Sequence, residues 1–275
     1  MTANLIELPS LVQGTDEWHD QRRGLVTASA VGKLITTRKL SAADYDCPAC
    51  GAPADDPCRS KVKAGAAIKT LHPERAEVAR RNSSSSIVFE TASNDTSRDL
   101  TALLVAERIT GYTDPTYVSD DMLRGIEDEP TARTKYAEHY APVSEIGFMI
   151  RDDNGVRIGY SPDGLVGDDG LIEIKSRRQK AHLETILSGH PPVENMAQLQ
   201  CGLLVSGRKW IDYVSYCGGM PLWVKRVYPD QRWFDAITAA VRAFEANAAE
   251  MIRLYEESIA GFPATERIIE LEMVI

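Results

Sequence analysis

The sequence has no apolar run approaching the roughly 20 residues needed to cross a bilayer. Its first residues, MTANLIELPSLVQGTDEW, lack the basic-then-apolar pattern of a secretion signal, so a cytoplasmic protein is expected, with no membrane partner. Positive charge is not in excess either. The net charge is -9, which argues against a protein coated with basic surface for nucleic acid. It does not exclude a metal-dependent nuclease, whose carboxylates gather at the centre while basic residues line the substrate path locally. Cysteine is scarce and odd in number, five in all, which does not read as a disulfide framework. No internal repeat is visible. A chain of 275 residues with 43% apolar content can bury a substantial core, as one large domain or one domain with a small insert.

Periodicity gives the organisation. Residues 13–33 open with a polar turn and continue as helix, with a second helix entered after Gly24 through Thr27 or Ser29 as N-cap. Helical patterns recur near 95–110, 121–140, 193–206 and 230–258, the second of these containing Pro130. Strand signals fall on SEIGFMIRD, GVRIGYSPD, LIEIKS, WIDYVSYC and LWVKRVY. This order predicts an α/β fold with a mixed central sheet flanked by helices. Residues 41–86 differ in character, with clustered cysteines, several prolines, a basic stretch and the run SSSS at 83–86. They read as an insertion ending in a flexible linker, so that 1–40 and 87–275 form one domain.

The densest chemistry lies in SPDGLVGDDGLIEIKSR, residues 161–177. In an extended strand Glu173 and Lys175 project to one side while Ile172 and Ile174 point to the other. Asp163 ends the preceding strand, and the DDG turn at 168–170 folds it against Glu173. Two carboxylates that close suit a hard divalent cation such as magnesium, and a neighbouring lysine can orient an attacking water or offset charge on a phosphoryl group. Phosphodiester hydrolysis is the natural reaction; a solvated hairpin with a Glu–Lys cross-pair is the bland alternative.

This arrangement resembles the PD-(D/E)xK nuclease superfamily, with its restriction-endonuclease-like core. Within it the chain is similar to the phage lambda-type exonucleases and YqaJ-type viral recombinase nucleases. The resemblance rests on EWHDQRRGLVTAS at 17–29, RGIEDEPTARTKY at 124–136, YSPDGLVGDDGLIEIKS at 160–176 and NMAQLQCGLLVSGRKW at 195–210, in the family's order. It implies that Asp163, Glu173, the carbonyl of Ile174 and Glu129 hold two magnesium ions per site, with manganese able to substitute. Glu127 competes for the last of these positions. It implies that Lys175 acts on the attacking water, that Gln198 sits beside the site, and that Gln200 faces elsewhere. Arg22, Thr27, Ser29 and Ser161 match positions that hold a terminal 5′-phosphate, which suits a forked guanidinium and hydroxyl donors; an N-cap and a surface salt bridge are the plain alternatives. Arg177, Arg178 and Lys180 are candidates for tracking the DNA backbone. The chain departs from the family where Asn195 replaces a common aromatic and where SRR replaces Cys-Pro after Lys175. The implied activity is a 5′-to-3′ exonuclease on linear duplex DNA, working as a trimeric ring beside a single-strand-annealing protein. A related endonuclease, a nuclease of opposite polarity, or a noncatalytic DNA-end-binding scaffold are the alternatives.

The insertion carries its own pattern. Cys47 and Cys50 are spaced C-x-x-C, and Cys58 and His72 follow, a set suited to tetrahedral structural zinc. Basic residues Arg59, Lys61, Lys63, Lys69, Arg75, Arg80 and Arg81 make it a candidate flap near the DNA entrance. Cys201 and Cys217 read as core residues. His19, His139, His182 and His190 have no partner pattern, and Trp210, Tyr213 and Trp223 read as sheet packing.

Overall fold

The strands divide between two four-stranded mixed sheets and one two-stranded ribbon in the computed structural model, which describes residues 4–60, 62–63, 65–82, 87–115 and 117–267. The first sheet has the order β1 (Asn4–Leu8), β5 (Phe148–Asp153), β6 (Val156–Tyr160), β2 (Val26–Thr27). The second has the order β10 (Trp223–Val227), β9 (Trp210–Tyr216), β8 (Gly170–Ser176), β7 (Gly164–Val166). Strand β2 runs parallel to β6 and β8 parallel to β9; the other neighbours are antiparallel. The ribbon pairs β3 (Ile35–Lys39) with β4 (Ile87–Thr91). The sequence predicts one central sheet, and the chain divides it after Tyr160. There Ser161, Pro162 and Asp163 pass from the first sheet to the second, and Pro162 has no N–H to continue a ladder. An isolated bridge joins Leu165 of β7 to Ser144, in the loop that leads into β5.

Eight helices surround these sheets among the described residues: α1 (Asp16–Arg22), α2 (Ala28–Val31), α3 (Pro73–Asn82), α4 (Asp95–Thr110), α5 (Asp120–His139), α6 (Gln179–Ser188), α7 (Val193–Ser206) and α8 (Gln231–Ser258). Helix α1 is capped by Thr15, whose hydroxyl accepts from the Trp18 N–H, and the chain turns after it at Gly24, in the left-handed region at φ +63°. Helix α4 starts with a reciprocal Asn94–Ser97 capping box and ends on left-handed Gly111. Helix α5 runs through Pro130; the missing N–H frees the Ile126 carbonyl on an exposed side of the helix.

The main core gathers Val26, Val31, Leu104, Tyr160, Leu171, Leu199, Tyr213, Ile237 and Phe244 from both sheets and from α2, α4, α7 and α8. A second cluster, Ala132, Tyr136, Ile172, Ile174 and Val214, seats α5 on the opposite face of β8 and β9. The Tyr136 hydroxyl donates to buried Asp212 at 2.7 Å, and Arg226 grips the same carboxylate through two bonds of 2.8 and 2.9 Å. This shared acid pins α5, and with it Arg133 and Glu129, one and two turns upstream.

Residues 40–86 leave and rejoin at the end of the ribbon where Lys39 pairs with Ile87. They contain α3 and a small cluster of their own around Cys47, Ala52 and Cys58. The Ser83–Ser86 linker, Lys61 and most of the ERIIELEMVI tail, from 268 onward, lie outside the described residues.

Gly202 on α7 faces the ring of Tyr160, and a Cβ there would lie 2.8 Å from the ring's Cζ. Gly202→Ala is therefore expected to destabilise the protein by about 1–3 kcal/mol through overpacking. Urea denaturation should show a lower midpoint at unchanged slope; an unchanged midpoint would contradict the tight seating of Tyr160.

Candidate active site

The site begins at an interrupted sheet edge. Strands β7 and β8 pair from Val166–Gly170 to Gly164–Ile172 and no further. Asp163 therefore stands just before β7, on the link from the other sheet, rather than at the end of the strand that precedes the hairpin. The register still sets it opposite Glu173. With no strand residue to pair with, the Ile174 N–H donates to Asp163 Oδ2 at 2.6 Å. The N–H and C=O of one strand residue point to the same neighbour, so the Ile174 carbonyl faces the same opening. Ile172 and Ile174 pack beneath α5, while Glu173 and Lys175 take the Leu171 side, toward α7.

Glu173 is only 2% exposed, and each of its oxygens has a partner. Its Oε1 accepts from Lys175 Nζ at 2.8 Å and from the Gln198 side-chain amide, and its Oε2 accepts from the Tyr160 hydroxyl at 3.2 Å. Glu129 comes from α5, two turns before Tyr136 and so on the docked face, whereas Glu127 is exposed. Arg133, one turn after Glu129, pairs with it, donates to the Asp163 carbonyl at 2.8 Å and reaches Glu145 at 3.0 Å. Gln200 is turned away: it donates to the Tyr228 carbonyl and accepts from the Asp230 N–H, each at 2.9 Å.

The charges in this cleft do not balance. Burial, then Glu173 and Glu129, push the Asp163 carboxyl well above the usual range, against Lys175 and the Ile174 N–H. Burial likewise raises Glu129, with Arg133 opposing and Glu173 assisting. Burial alone would lower Lys175, but Glu173 and Asp163 outweigh it and keep the group an ammonium. Asp163 faces Glu173 across the register and feels the charge of Glu129, and carboxylate and carbonyl oxygens of this kind are the donors a hard divalent cation takes. The donor chemistry suits such an ion, which would offset the charge that burial and the neighbouring acids hold against ionised Asp163.

On the other side of Pro162 lies a cationic pocket. Arg22 Nη1 donates to Ser161 Oγ at 3.2 Å, and Trp18 Nε1 donates to the same oxygen at 3.0 Å. The guanidinium lies 4.1 Å from the Trp18 ring centroid. Among the described residues no carboxylate reaches ion-pair distance of Arg22, and burial pulls it down to about 10, with distant Glu107 opposing. Thr27 lies opposite Gly159 in the β2–β6 pair, two residues before Ser161. Its hydroxyl makes no cap bond to α2 and instead meets Ser29 Oγ at 3.2 Å. Thr27 is thus the N-cap residue of α2 by position but leaves its hydroxyl free of a cap bond, and a surface salt bridge does not describe Arg22. The turn joining Arg22 to Thr27 is clamped at Gly24: its N–H donates to buried Glu107 and its carbonyl accepts from Arg108, each at 2.7 Å. A groove of about 1500 Å³ runs past Arg22 and Pro162 and is lined also by Trp18, Glu129 and Arg133.

The two departures from the family pattern meet each other. Arg177 folds inward, donating to Asn195 Oδ1 and, at 2.8 Å, to the Tyr213 hydroxyl. Helix α7 thus presents Asn195 and Gln198 one turn apart, bonded to Arg177 and Glu173, with Lys175 between the two pairs. Arg178 and Lys180 point outward to Asp121 and Glu184.

In the insertion, the ligand atoms of Cys47, Cys50, Cys58 and His72 all lie within 4.8 Å of one another. Cys47 Sγ and His72 Nδ1 are 3.4 Å apart, close to the ~3.5 Å expected for sulfur and nitrogen sharing a tetrahedral zinc. The Arg59 N–H lowers Cys50 to about 6, whereas burial raises Cys47. The residues fit structural zinc.

Sequence reasoning gave no role to Trp18, Arg133 or Tyr160, and it counted Arg75 in a basic flap, whereas Arg75 is fully buried and its guanidinium faces inward. Two carried a signal: Arg133 is four residues after Glu129 and Trp18 four before Arg22, the spacing of helical neighbours.

Residues 76–209 match the YqaJ-like viral recombinase domain, and residues 13–86 match the family described as "Putative DNA-binding phage zinc finger domain". An alkaline exonuclease, LHK-Exo, from Laribacter hongkongensis is similar at 28% identity and TM-score 0.61, over 90% of this chain and 100% of that one; its complex with dAMP gives the same values. A phage related exonuclease from Haemophilus somnus shares the fold alone, at 12% identity and TM-score 0.50 over 84% of this chain and 96% of that one. No curated protein matches the chain.

Asp163 yields a test with a definite sign. Its folded pKa lies above the unfolded value of ~3.9, so its contribution is favourable below that value and lost as pH rises through the folded one. In magnesium-free buffer Asp163→Asn should melt higher than the wild type near neutral pH, with the gap closing toward about pH 4. Added magnesium should raise the melting temperature of the wild type and not of the variant. A variant that melts lower near neutral pH would contradict the crowding of acids.

Proposed function

Proceeding from a chain that belongs, over residues 76–209, to the YqaJ-like viral recombinase family, we propose that it is a divalent-metal-dependent exonuclease that degrades one strand of linear duplex DNA from its 5′ end. The observation that carries this reading is the unpaired Arg22 guanidinium beside Ser161, two residues before Asp163. Two residues span at most about 7 Å, the scale of one nucleotide. A terminal 5′-phosphate held by Arg22, Ser161, Thr27 and Ser29 would thus bring the next phosphodiester to the acids, which favours release of mononucleotides from an end over cutting within a strand.

Asp163, Glu173, Glu129 and the Ile174 carbonyl would hold two magnesium ions, or manganese in their place. The bound ions supply a polarised phosphoryl oxygen and a water of lowered pKa. The protein's own groups do the positioning. Tyr160 and Gln198 hold the Glu173 carboxylate so that it cannot swing, and Arg133 holds Glu129 on the docked face of α5. Lys175 stays protonated between Glu173 and Asp163, orients the attacking water and offsets charge gathering on the phosphoryl oxygens.

The same reading extends to a homotrimeric ring around the duplex and to a single-strand-annealing protein that takes up the exposed strand, the two steps of a phage-type recombination. Exposed Met251, Leu254, Tyr255, Ile259 and Phe262 at the end of α8 and just beyond it support a subunit contact there. None of the described helices is long and apolar enough to cross a membrane.

A time course on end-labelled linear duplex with magnesium tests direction and metal need together. Label at the 5′ end should be released first as mononucleotide, and covalently closed circles should stay intact. Lys175→Ala should lower cleavage by roughly 10²–10³-fold while leaving DNA binding in place. Arg22→Ala should abolish the preference for 5′-phosphorylated over 5′-hydroxyl ends. Cutting of the circle would refute the exonuclease reading, and an unchanged end preference in the variant would refute the phosphate pocket. Full-length DNA after incubation with magnesium would favour a noncatalytic end-binding scaffold.

A further inference from the structure

The insertion contains a buried cation that neither the catalytic site nor the ligand set accounts for. Arg75, three residues after His72 in the sequence HPER, is fully buried at 0% exposure. Its Nε donates to the Tyr45 carbonyl at 2.6 Å, Nη1 to the Asp56 carbonyl at 2.7 Å, and Nη2 to the Ala43 and Pro53 carbonyls at 2.9 and 2.7 Å. A fifth contact runs from Nη1 to Cys58 Sγ at 3.6 Å. A guanidinium has five N–H donors, and all five are engaged.

Hydrogen bonding is therefore complete, but charge is not. Among the described residues no carboxylate reaches ion-pair distance of Arg75. The nearby Asp44 is already committed to Arg38, through bonds of 2.6 and 2.8 Å. A cation removed from water with only carbonyl dipoles around it is costly, and proteins bury one where an anion compensates. The anion at hand is the metal centre. Zinc bound by three thiolates and one neutral imidazole carries a net charge of minus one, and Cys58, one of those thiolates, touches the guanidinium.

We propose that Arg75 is the counter-cation of the zinc centre: it balances the extra thiolate charge of the Cys47–Cys50–Cys58–His72 set and ties the loops at residues 43–45 and 53–58 around it. Its role is positioning, since it acts on the metal through Cys58 and the backbone. The arrangement gives the HPER sequence a physical reading, with His72 as ligand and Arg75 brought back onto the ligand cluster by the first turn of α3.

The proposal rests on the zinc reading, and the test separates the two. Zinc affinity is measured on the full chain by competition with a chromophoric chelator, and cobalt substitution reports the thiolate-to-metal band. Wild-type protein that takes up no zinc would remove the zinc reading itself. Given zinc in the wild type, Arg75→Met should weaken binding by about 10–100-fold, and Arg75→Lys should recover part of the loss by keeping the charge. The decisive arm is the Cys58→His background, where the ligand set has no net charge. There Arg75→Met should cost at least several-fold less than in the wild type, and a variant that folds poorly alone should be rescued. Equal losses in the two backgrounds would show that Arg75 only clamps carbonyls, and wild-type affinity in Arg75→Met would overturn the proposal outright.

Discussion

Strand β7 stops pairing at Gly164–Ile172, and the unpaired stretch of β8 edge this leaves is what the rest of the site depends on. A full-length β7 would satisfy Ile174 from backbone and leave no room for a side-chain carboxylate there. Because β7 is short, Asp163 bonds the Ile174 N–H instead, and the neighbouring carbonyl faces an opening rather than a partner strand. Helix α5 covers one face of this edge and α7 the other, so Glu129 and Gln198 arrive from opposite sides of a single strand. The Tyr136–Asp212–Arg226 bonds fix the first helix, and the contact of Gly202 with Tyr160 fixes the second.

The two candidate metal centres meet the same electrostatic problem in different ways. In the acid cluster, Lys175 and Arg133 compensate only part of the negative charge, and burial and the neighbouring acids drive Asp163 toward its neutral form. That imbalance would suit the proposed site, which would bind ions and substrate phosphate together. In the insertion the ligands are compact, and a buried arginine supplies the missing charge permanently. The first arrangement is poised to exchange what it holds; the second is built to keep it.

Much of the site could be read locally. Glu173 and Lys175 follow from strand alternation, the outward turn of Gln200 from helix geometry, and the cysteine cluster from coordination chemistry, whereas Gln198 came from the family resemblance. These depend on residues close in sequence. What escaped depends on distant pairing. Strands β1, β3 and β4 are five residues each, and β3 finds its partner only after the whole insertion, so neither carries a strong pattern alone. The division into two sheets is invisible because GVRIGYSPD looks continuous, although Pro162 breaks it. Tyr160 reads as a packing residue by composition, and only the fold reveals that its hydroxyl reaches Glu173. The bond between Arg177 and Asn195 likewise joins positions that, taken singly, look like unrelated departures from a family pattern.

The central claim is that Asp163, Glu173 and the Ile174 carbonyl together bind the cation that the reaction needs. Crystals grown with manganese, with data collected at the manganese absorption edge, address it directly. The account predicts an anomalous peak in the opening at the β8 edge, within coordination distance of both carboxylates and that carbonyl. Anomalous density confined to other parts of the molecule, with this opening holding only water, would contradict it.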